Sequence, residues 1–380
     1  MAVGARGRVC RQHRGRYGAA GEARTEVEEM ERPVEWEDVL LVRFGSLGDV
    51  VLTLPVAEAV RRRLPDARIS IAVKESYGSL FRSDGPVDRV FPFSNSGRHG
   101  GLAGLQRYAR VLAGESFDLV IDLHASLRSR LLTRMLRVPR VVRASPARAS
   151  RQALVRFKKP ILGYPGHVVN RYLAAARSAG IPAVNERLHL RIPRDIREDV
   201  AAKVRDRLVP SASRLMVLAP GAGRLTKRWG ADRYGALARR LAEEASVDVV
   251  ITGPADESEL VLGVTDAADH RRVCAFMSND LMEQGALLAA ASRVVTNDSG
   301  LMHLSAAVGT PVVALFGSTT TSLGFYPLGE RDVVIALPLD CRPCGLHGRD
   351  RCPRGDLACL DGIPVDRVYD AVCGDAGENG

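Results

Sequence analysis

Asp49 ends the run Arg43-Phe44-Gly45-Ser46-Leu47-Gly48-Asp49, and a carboxylate in such a loop can take a proton from an attacking hydroxyl. Gly45 and Gly48, on either side of Ser46, let the backbone turn sharply and approach a ligand closely. An apolar run at 39–42 precedes the loop and helical spacing follows from residue 50. Asp49 therefore falls at a helix start, where the helix dipole favours its ionised form. The competing reading is a simple helix cap, a common task for aspartate there. The glycines are not spaced G-x-G-x-x-G, so a dinucleotide fingerprint is weak.

Three later segments suit an anion or a ribose. Pro220-Gly221-Ala222-Gly223 leads to Thr226 and Lys227, where backbone N–H groups and a cation can cradle phosphate oxygens. The P-loop spacing is absent, and a solvated basic turn is the alternative. Asn297-Asp298-Ser299-Gly300-Leu301-Met302-His303 runs from a strand end into a helix. Asp298 or Ser299 would cap that helix, and the N–H groups of Ser299, Gly300 and Leu301 form an anion site. Gly300 has no side chain to block a diphosphate. His303 could touch a phosphate or be structural. Gly253-Pro254-Ala255-Asp256-Glu257 ends another strand; a carboxylate there could hold ribose hydroxyls or merely form an acidic first helical turn. Cys341, Cys344, Cys352 and Cys359 supply thiols at spacings open to a structural zinc, without paired C-x2-C knuckles; reduced thiols are the alternative.

These segments need elements to hold them. Apolar runs at 39–42, 69–73, 89–91 and 118–123 alternate with helical spacing at 50–63 and 102–113. A charged, Pro-bounded stretch at 191–213, beginning with a helix, links to a second such rhythm. Its strands are expected at 215–219, 247–252, 293–296 and 311–316, with helices at 232–244, 257–268 and 281–291. Strand–helix alternation predicts α/β architecture, with two doubly wound sheets in tandem and a cleft between their carboxyl ends.

The chain has 380 residues, 46% of them hydrophobic, enough for two cores. It has no apolar run of the roughly 18–20 residues that spans a bilayer and no secretory block at its start, so a cytoplasmic location is expected. Residues 1–36 read as a disordered extension, with Met30 an alternative start. The net charge of +10 points to an anionic partner. From 123 to 185 there is no Asp or Glu but thirteen Lys or Arg. Few aromatics and no nucleic-acid module argue against nucleic acid. A phosphate-bearing molecule, a lipid head group or an anionic membrane surface fits, as does a solvated basic face.

Together the segments resemble glycosyltransferase family 9, the lipopolysaccharide heptosyltransferases. The carriers are R-x-G-S-L-G-D-V-V-L-T-L-P within 39–55, K-R-W at 227–229, and the block at 297–317 beginning N-D-S-G-L-M-H. The resemblance covers residues 38–372. It implies a GT-B fold, two Rossmann-like domains facing across a cleft: acceptor binding in 37–190, a linker at 191–213, donor binding in 214–363, and a C-terminal helix and tail at 364–380. It implies inverting transfer of a heptose from an ADP-activated donor to the lipopolysaccharide core or a related glycolipid. Asp49 would be the general base and Gly45, Ser46 and Gly48 the acceptor loop. Thr226 and Lys227, with Asp298, Ser299, Gly300, Leu301 and His303, would line the donor diphosphate, and Glu257 is the candidate for its ribose. Neither loop carries D-x-D, so no metal is demanded, and no cofactor is expected. Peripheral contact with the cytoplasmic face of an anionic inner membrane would accompany a lipid-linked acceptor. The rivals are a nicotinamide-dependent oxidoreductase, a GT-B nucleotide-sugar epimerase and a non-catalytic nucleotide-sugar-binding relative.

Overall fold

The computed structural model describes residues 36–81, 85–95, 97–183, 187–208, 214–245 and 247–374. Apart from Trp36, the expected extension at 1–36 lies outside these residues, as do parts of 191–213 and of 364–380.

The first lobe is built on five parallel strands in the order β3-β2-β1-β4-β5. These are β1 (Asp38–Val42), β2 (Arg68–Lys74), β3 (Arg89–Phe93), β4 (Leu119–Asp122) and β5 (Arg140–Arg143). Val39, Leu40, Leu41 and Val42 are completely buried, because helices cover both faces of the sheet, which is why β1 reads as an unbroken apolar run. Each such side chain contributes about 1.5–3 kcal/mol.

The helices are α1 (Leu47–Val51), α2 (Leu54–Arg63), α3 (Gly101–Ala113), α4 (Leu127–Leu136), α5 (Arg148–Phe157) and α6 (Val168–Arg177). The single helix expected from 50 to 63 is thus two. The break falls at Thr53, whose hydroxyl donates to the Val50 carbonyl at 2.6 Å, just before Pro55 enters the first turn of α2. Proline fits there because it has no N–H to lose. Asp49 consequently rides on its own short helix. β5 and α4 to α6 lie in the arginine-rich stretch, whose short apolar runs gave no expectation.

Helix α7 (Arg194–Arg205) follows Pro193 and packs on the second lobe, where Lys203 meets Glu283 at 2.7 Å. The second sheet has six parallel strands in the order β11-β10-β9-β6-β7-β8. In chain order its elements are β6 (Leu215–Ala219), α8 (Ala231–Glu244), β7 (Asp248–Gly253), α9 (Ser258–Ala268), β8 (Val273–Met277), α10 (Leu281–Ala290), β9 (Arg293–Asn297), α11 (Gly300–Ala307), β10 (Val312–Phe316), β11 (Val333–Ala336), α12 (Ala358–Asp361) and α13 (Val365–Cys373). The strand order reverses between β1 and β4 in one sheet and between β6 and β9 in the other. Ligands of open α/β sheets bind at such reversals, beyond the strand carboxyl ends. The loops after β1, β6 and β9 are the three glycine-bearing segments singled out in the sequence.

Candidate active site

One cavity of about 400 Å³ is lined from both lobes: by Ser46, Gly48 and Asp49 on one side and by Lys227, Asp298, Ser299, Gly300 and His303 on the other. The lobes touch here through two glycines. A Cβ on Gly48 would lie 2.6 Å from the His303 ring, and one on Gly300 would lie 2.6 Å from Leu47 Cδ2. Both are closer than nonbonded carbons approach, so only glycine lets the starts of α1 and α11 come together.

Asp49 both caps and faces the cavity. Its Oδ2 accepts from the Ser46 backbone N–H at 3.3 Å and from Ser46 Oγ at 2.8 Å, and lies 2.7 Å from Arg43 Nη2. Its Oδ1 accepts only from the Tyr172 hydroxyl, at 3.1 Å, which leaves acceptor capacity on that oxygen. Burial alone would raise the Asp49 pKa. The Arg43 charge and the bonds from Ser46, Arg43 and Tyr172 outweigh it and hold the carboxyl below its ordinary value. The group is ionised at neutral pH.

On the opposite wall Lys227 Nζ lies 2.7 Å from Asp298 Oδ2, and Thr319 donates to the same oxygen at 2.6 Å. Asn297 clasps the two loops together: its Nδ2 donates to the Pro220 carbonyl at 2.7 Å, and its Oδ1 accepts from Trp229 N–H at 3.1 Å. Ser299 precedes the first turn of α11 with extended backbone, so the early N–H groups of that helix open toward the cavity. His303 is fully buried, which pushes its pKa down to about 4 against the pull of Asp298 and Asp49. It is a neutral ring, and its Nδ1 has no hydrogen-bond partner.

Four expected residues stand elsewhere. Thr226 does not reach this cavity: its hydroxyl bonds Ser318 Oγ and the Arg349 carbonyl, each at 2.8 Å. In the 3-10 turn Leu225–Lys227, consecutive side chains diverge by about 120°, so Lys227 faces the cleft and Thr226 the interior. Leu301 is buried in the core and can offer only its N–H. Glu257 lies outside the cavity lining, 3.0 Å from Arg228 Nη2 and packed against Gly221, where a Cβ would meet its carboxylate at 1.8 Å. Gly45 is not in the lining either; it packs against Tyr77, which is.

Cys341, Cys344, Cys352 and Cys359 are free thiols lining a separate cavity of about 290 Å³. Among the described residues no group of three His, Cys, Asp or Glu is arranged to hold a metal ion. The segment instead sends Leu346 and His347 into the main cavity, a contribution the sequence reading missed. Arg43 and Tyr172, which hold Asp49, were missed as well. Arg151, part of the basic stretch singled out in the sequence, is buried with Nε and Nη2 unpartnered among the described residues and its guanidinium 5.1 Å from the Phe325 ring.

The buried histidines set an acid limit on the fold. Burial pushes His303, His167 and His124 each down to about 4, against about 6.5 in an unfolded chain. Between those values the unfolded state binds more protons, so stability falls as pH drops from 6.5 toward 4. Asp49, with its pKa lowered, loses its contribution only below about pH 4. The melting temperature should therefore fall by on the order of 5 °C or more between pH 7 and 4.5. A calorimetric scan with no change over that range would contradict the neutral, buried state of these rings.

The chain is similar to several known proteins. Lipopolysaccharide heptosyltransferase 1 of Pseudomonas aeruginosa is 27% identical over 319 residues, spanning 80% of this chain and 85% of that protein. The solved structure of a family 9 glycosyltransferase from Veillonella parvula matches with a TM-score of 0.74 at 21% identity, covering 90% and 98% of the two chains. An Escherichia coli heptosyltransferase solved with ADP-2-deoxy-2-fluoro heptose matches with a TM-score of 0.62 at 21% identity, covering 88% and 98%. These structures share the GT-B arrangement of two parallel-sheet lobes around a cleft. The family model for glycosyltransferase family 9 (heptosyltransferase) matches residues 105–350, and with that the chain belongs to this family and is a glycosyltransferase.

Proposed function

We propose that the chain transfers a heptose from an ADP-activated donor, with inversion, to the core of lipopolysaccharide or a related glycolipid. The observation that carries this reading is the single cavity lined by Asp49 from one lobe and by Lys227, Ser299 and Gly300 from the other. The first lobe, residues 37–190, would hold the acceptor and residues 214–363 the donor, with 191–213 linking them. Asp49 Oδ1 takes the proton of an acceptor hydroxyl as its oxygen bonds to the anomeric carbon. The bond from that carbon to the diphosphate breaks on the opposite face. The negative charge growing there is met by N–H groups at the start of α11 and by Lys227. Arg151 is a buried cation whose Nε and Nη2 have no hydrogen-bond partner among the described residues, suited to a phosphate or acidic sugar of the acceptor. The fluorinated ADP-heptose in the E. coli relative and the name of the P. aeruginosa relative support this choice of donor and acceptor.

Calorimetric titration with ADP, UDP, GDP, CDP and dTDP tests the donor. ADP should bind at least ~10-fold more tightly than the others, and Lys227→Ala should weaken ADP by about the same factor, as expected for a charge-assisted phosphate contact. Preference for another nucleotide would replace the donor. An unchanged ADP affinity in Lys227→Ala would remove the lysine from the phosphate site.

A further inference from the structure

The last residue of α5, Phe157, and Ile161, Leu162 and Tyr164 of the loop to α6 are exposed at 54%, 57%, 60% and 67%. Large apolar side chains scattered singly over a surface need no explanation, but four within eight residues do. The loop is held out rather than folded back. At its start Lys158 Nζ donates to the carbonyls of Val155 and Pro343. At its end Arg171 Nη1 donates to the carbonyls of Pro165 at 3.0 Å and Gly166 at 2.9 Å. Between these anchors Gly163, with φ of 74°, turns the tip.

The charge along this stretch of sequence has one sign. Arg156, with its guanidinium 5.6 Å from the Phe157 ring, and Lys159 are both exposed, and the acid-free stretch from 123 to 185 surrounds them in sequence. A second copy of this face would bring the same positive charge against it, which opposes self-association. Aromatic and aliphatic side chains interleaved with cations are instead the composition of segments that lie in the interface of an anionic bilayer. Among the described residues no helix is long and apolar enough to cross a membrane, so the contact is one of shallow insertion.

We propose that residues 157–164 insert into the headgroup region of an anionic bilayer and hold the cleft over a lipid-linked acceptor; this rests on the glycolipid reading of the acceptor. The fold links the two. Arg151 lies on α5 six residues before Phe157, about 9 Å at 1.5 Å per residue, and Tyr172 on α6, just beyond the loop, bonds Asp49. The helices on either side of the loop thus both carry a residue that acts on the Asp49 carboxylate.

The test is co-sedimentation of the full chain with vesicles of phosphatidylglycerol and phosphatidylcholine, and of phosphatidylcholine alone. The chain should partition onto the anionic vesicles. Replacing Phe157, Ile161, Leu162 and Tyr164 together by serine should cut that partitioning at least ~10-fold, and Arg156→Glu with Lys159→Glu should do likewise. ADP titration of the same variants should be unchanged. In Leu162→Trp the indole emission should shift to the blue on anionic vesicles, which reads insertion without disturbing the rest of the loop. Failure of the parent chain to partition, retention by the serine variant, or an unshifted indole would each overturn the proposal. So would a dimer of the parent chain that the serine variant dissociates, since a second copy would then cover the loop. Absence of ADP binding in the parent chain would count against the donor reading alone.

Discussion

Asp49→Asn should lower the turnover number at least ~100-fold, the usual scale for losing a general base, while ADP affinity stays within about twofold. The substitution keeps the shape of the side chain. An Asn oxygen can still accept from the Tyr172 hydroxyl, now 3.1 Å from Oδ1, but it cannot hold a proton taken from the acceptor. The lysine and helix N–H groups that would meet the diphosphate belong to the other lobe, which is why donor binding is spared. Stability will move as well. Arg43 is largely buried, 12% of its side chain exposed, with Nε unpartnered among the described residues, and stripping the charge from its partner leaves a poorly compensated guanidinium, at a cost of no more than about 3–5 kcal/mol. Kinetics must therefore be measured well below the variant's melting temperature. More than a tenth of parental turnover, at matched folded fraction, would take Asp49 out of the reaction. The parental kcat should also be level from pH 6 to 8, because Asp49 stays ionised and His303 neutral there.

Gly300→Ala should produce the second large loss, at least ~100-fold in kcat/KM, the scale that follows a misplacement of about 1 Å at a reacting site. Within α11 alone the change should favour the fold, since alanine exceeds glycine by about 0.5–1 kcal/mol in a helix. The obstacle is the other lobe. The new methyl would stand 2.6, 2.7 and 2.8 Å from Cδ2, Cγ and Cβ of Leu47, so moving one flexible side-chain end does not relieve it. α1 and Asp49 would be pushed from α11. Thermal stability and activity should thus part company, and Leu47→Ala in the same chain should recover about a tenfold gain by removing two of the three clashing atoms. Full activity in Gly300→Ala would show that this close approach is not needed for turnover.

Much of the scaffold was legible because buried parallel strands write themselves as unbroken apolar runs. β1, β6, β7 and β10 read that way, and each ends in the small or polar residues of a loop at the strand carboxyl end. β5 did not, because Arg-Val-Val-Arg is a short edge strand with little apolar signal. The site was legible in the same measure as its motifs were local. Asp49, Lys227, Asp298, Ser299, Gly300 and His303 do line one cavity. Tyr172 was out of reach because it meets Asp49 across 123 residues of sequence, and nothing in its surroundings marks it. His347 was hidden inside a segment read for its cysteines. Thr226 was misdirected by adjacency: a neighbour in sequence is not a neighbour in direction when the backbone makes a tight turn.

The contact between Lys227 and Asp298 has a consequence for how the second lobe handles its ligand. The cation has an internal counter-ion at 2.7 Å, so in the proposed reaction a pyrophosphate would compete with a resident carboxylate rather than fall into a bare positive trap. The lobe's hold on an anion is then a difference between two attractions and not the whole of one. Under the proposed reaction such a swap would temper affinity for the spent nucleotide, and the returning aspartate would help to expel it before the next turnover.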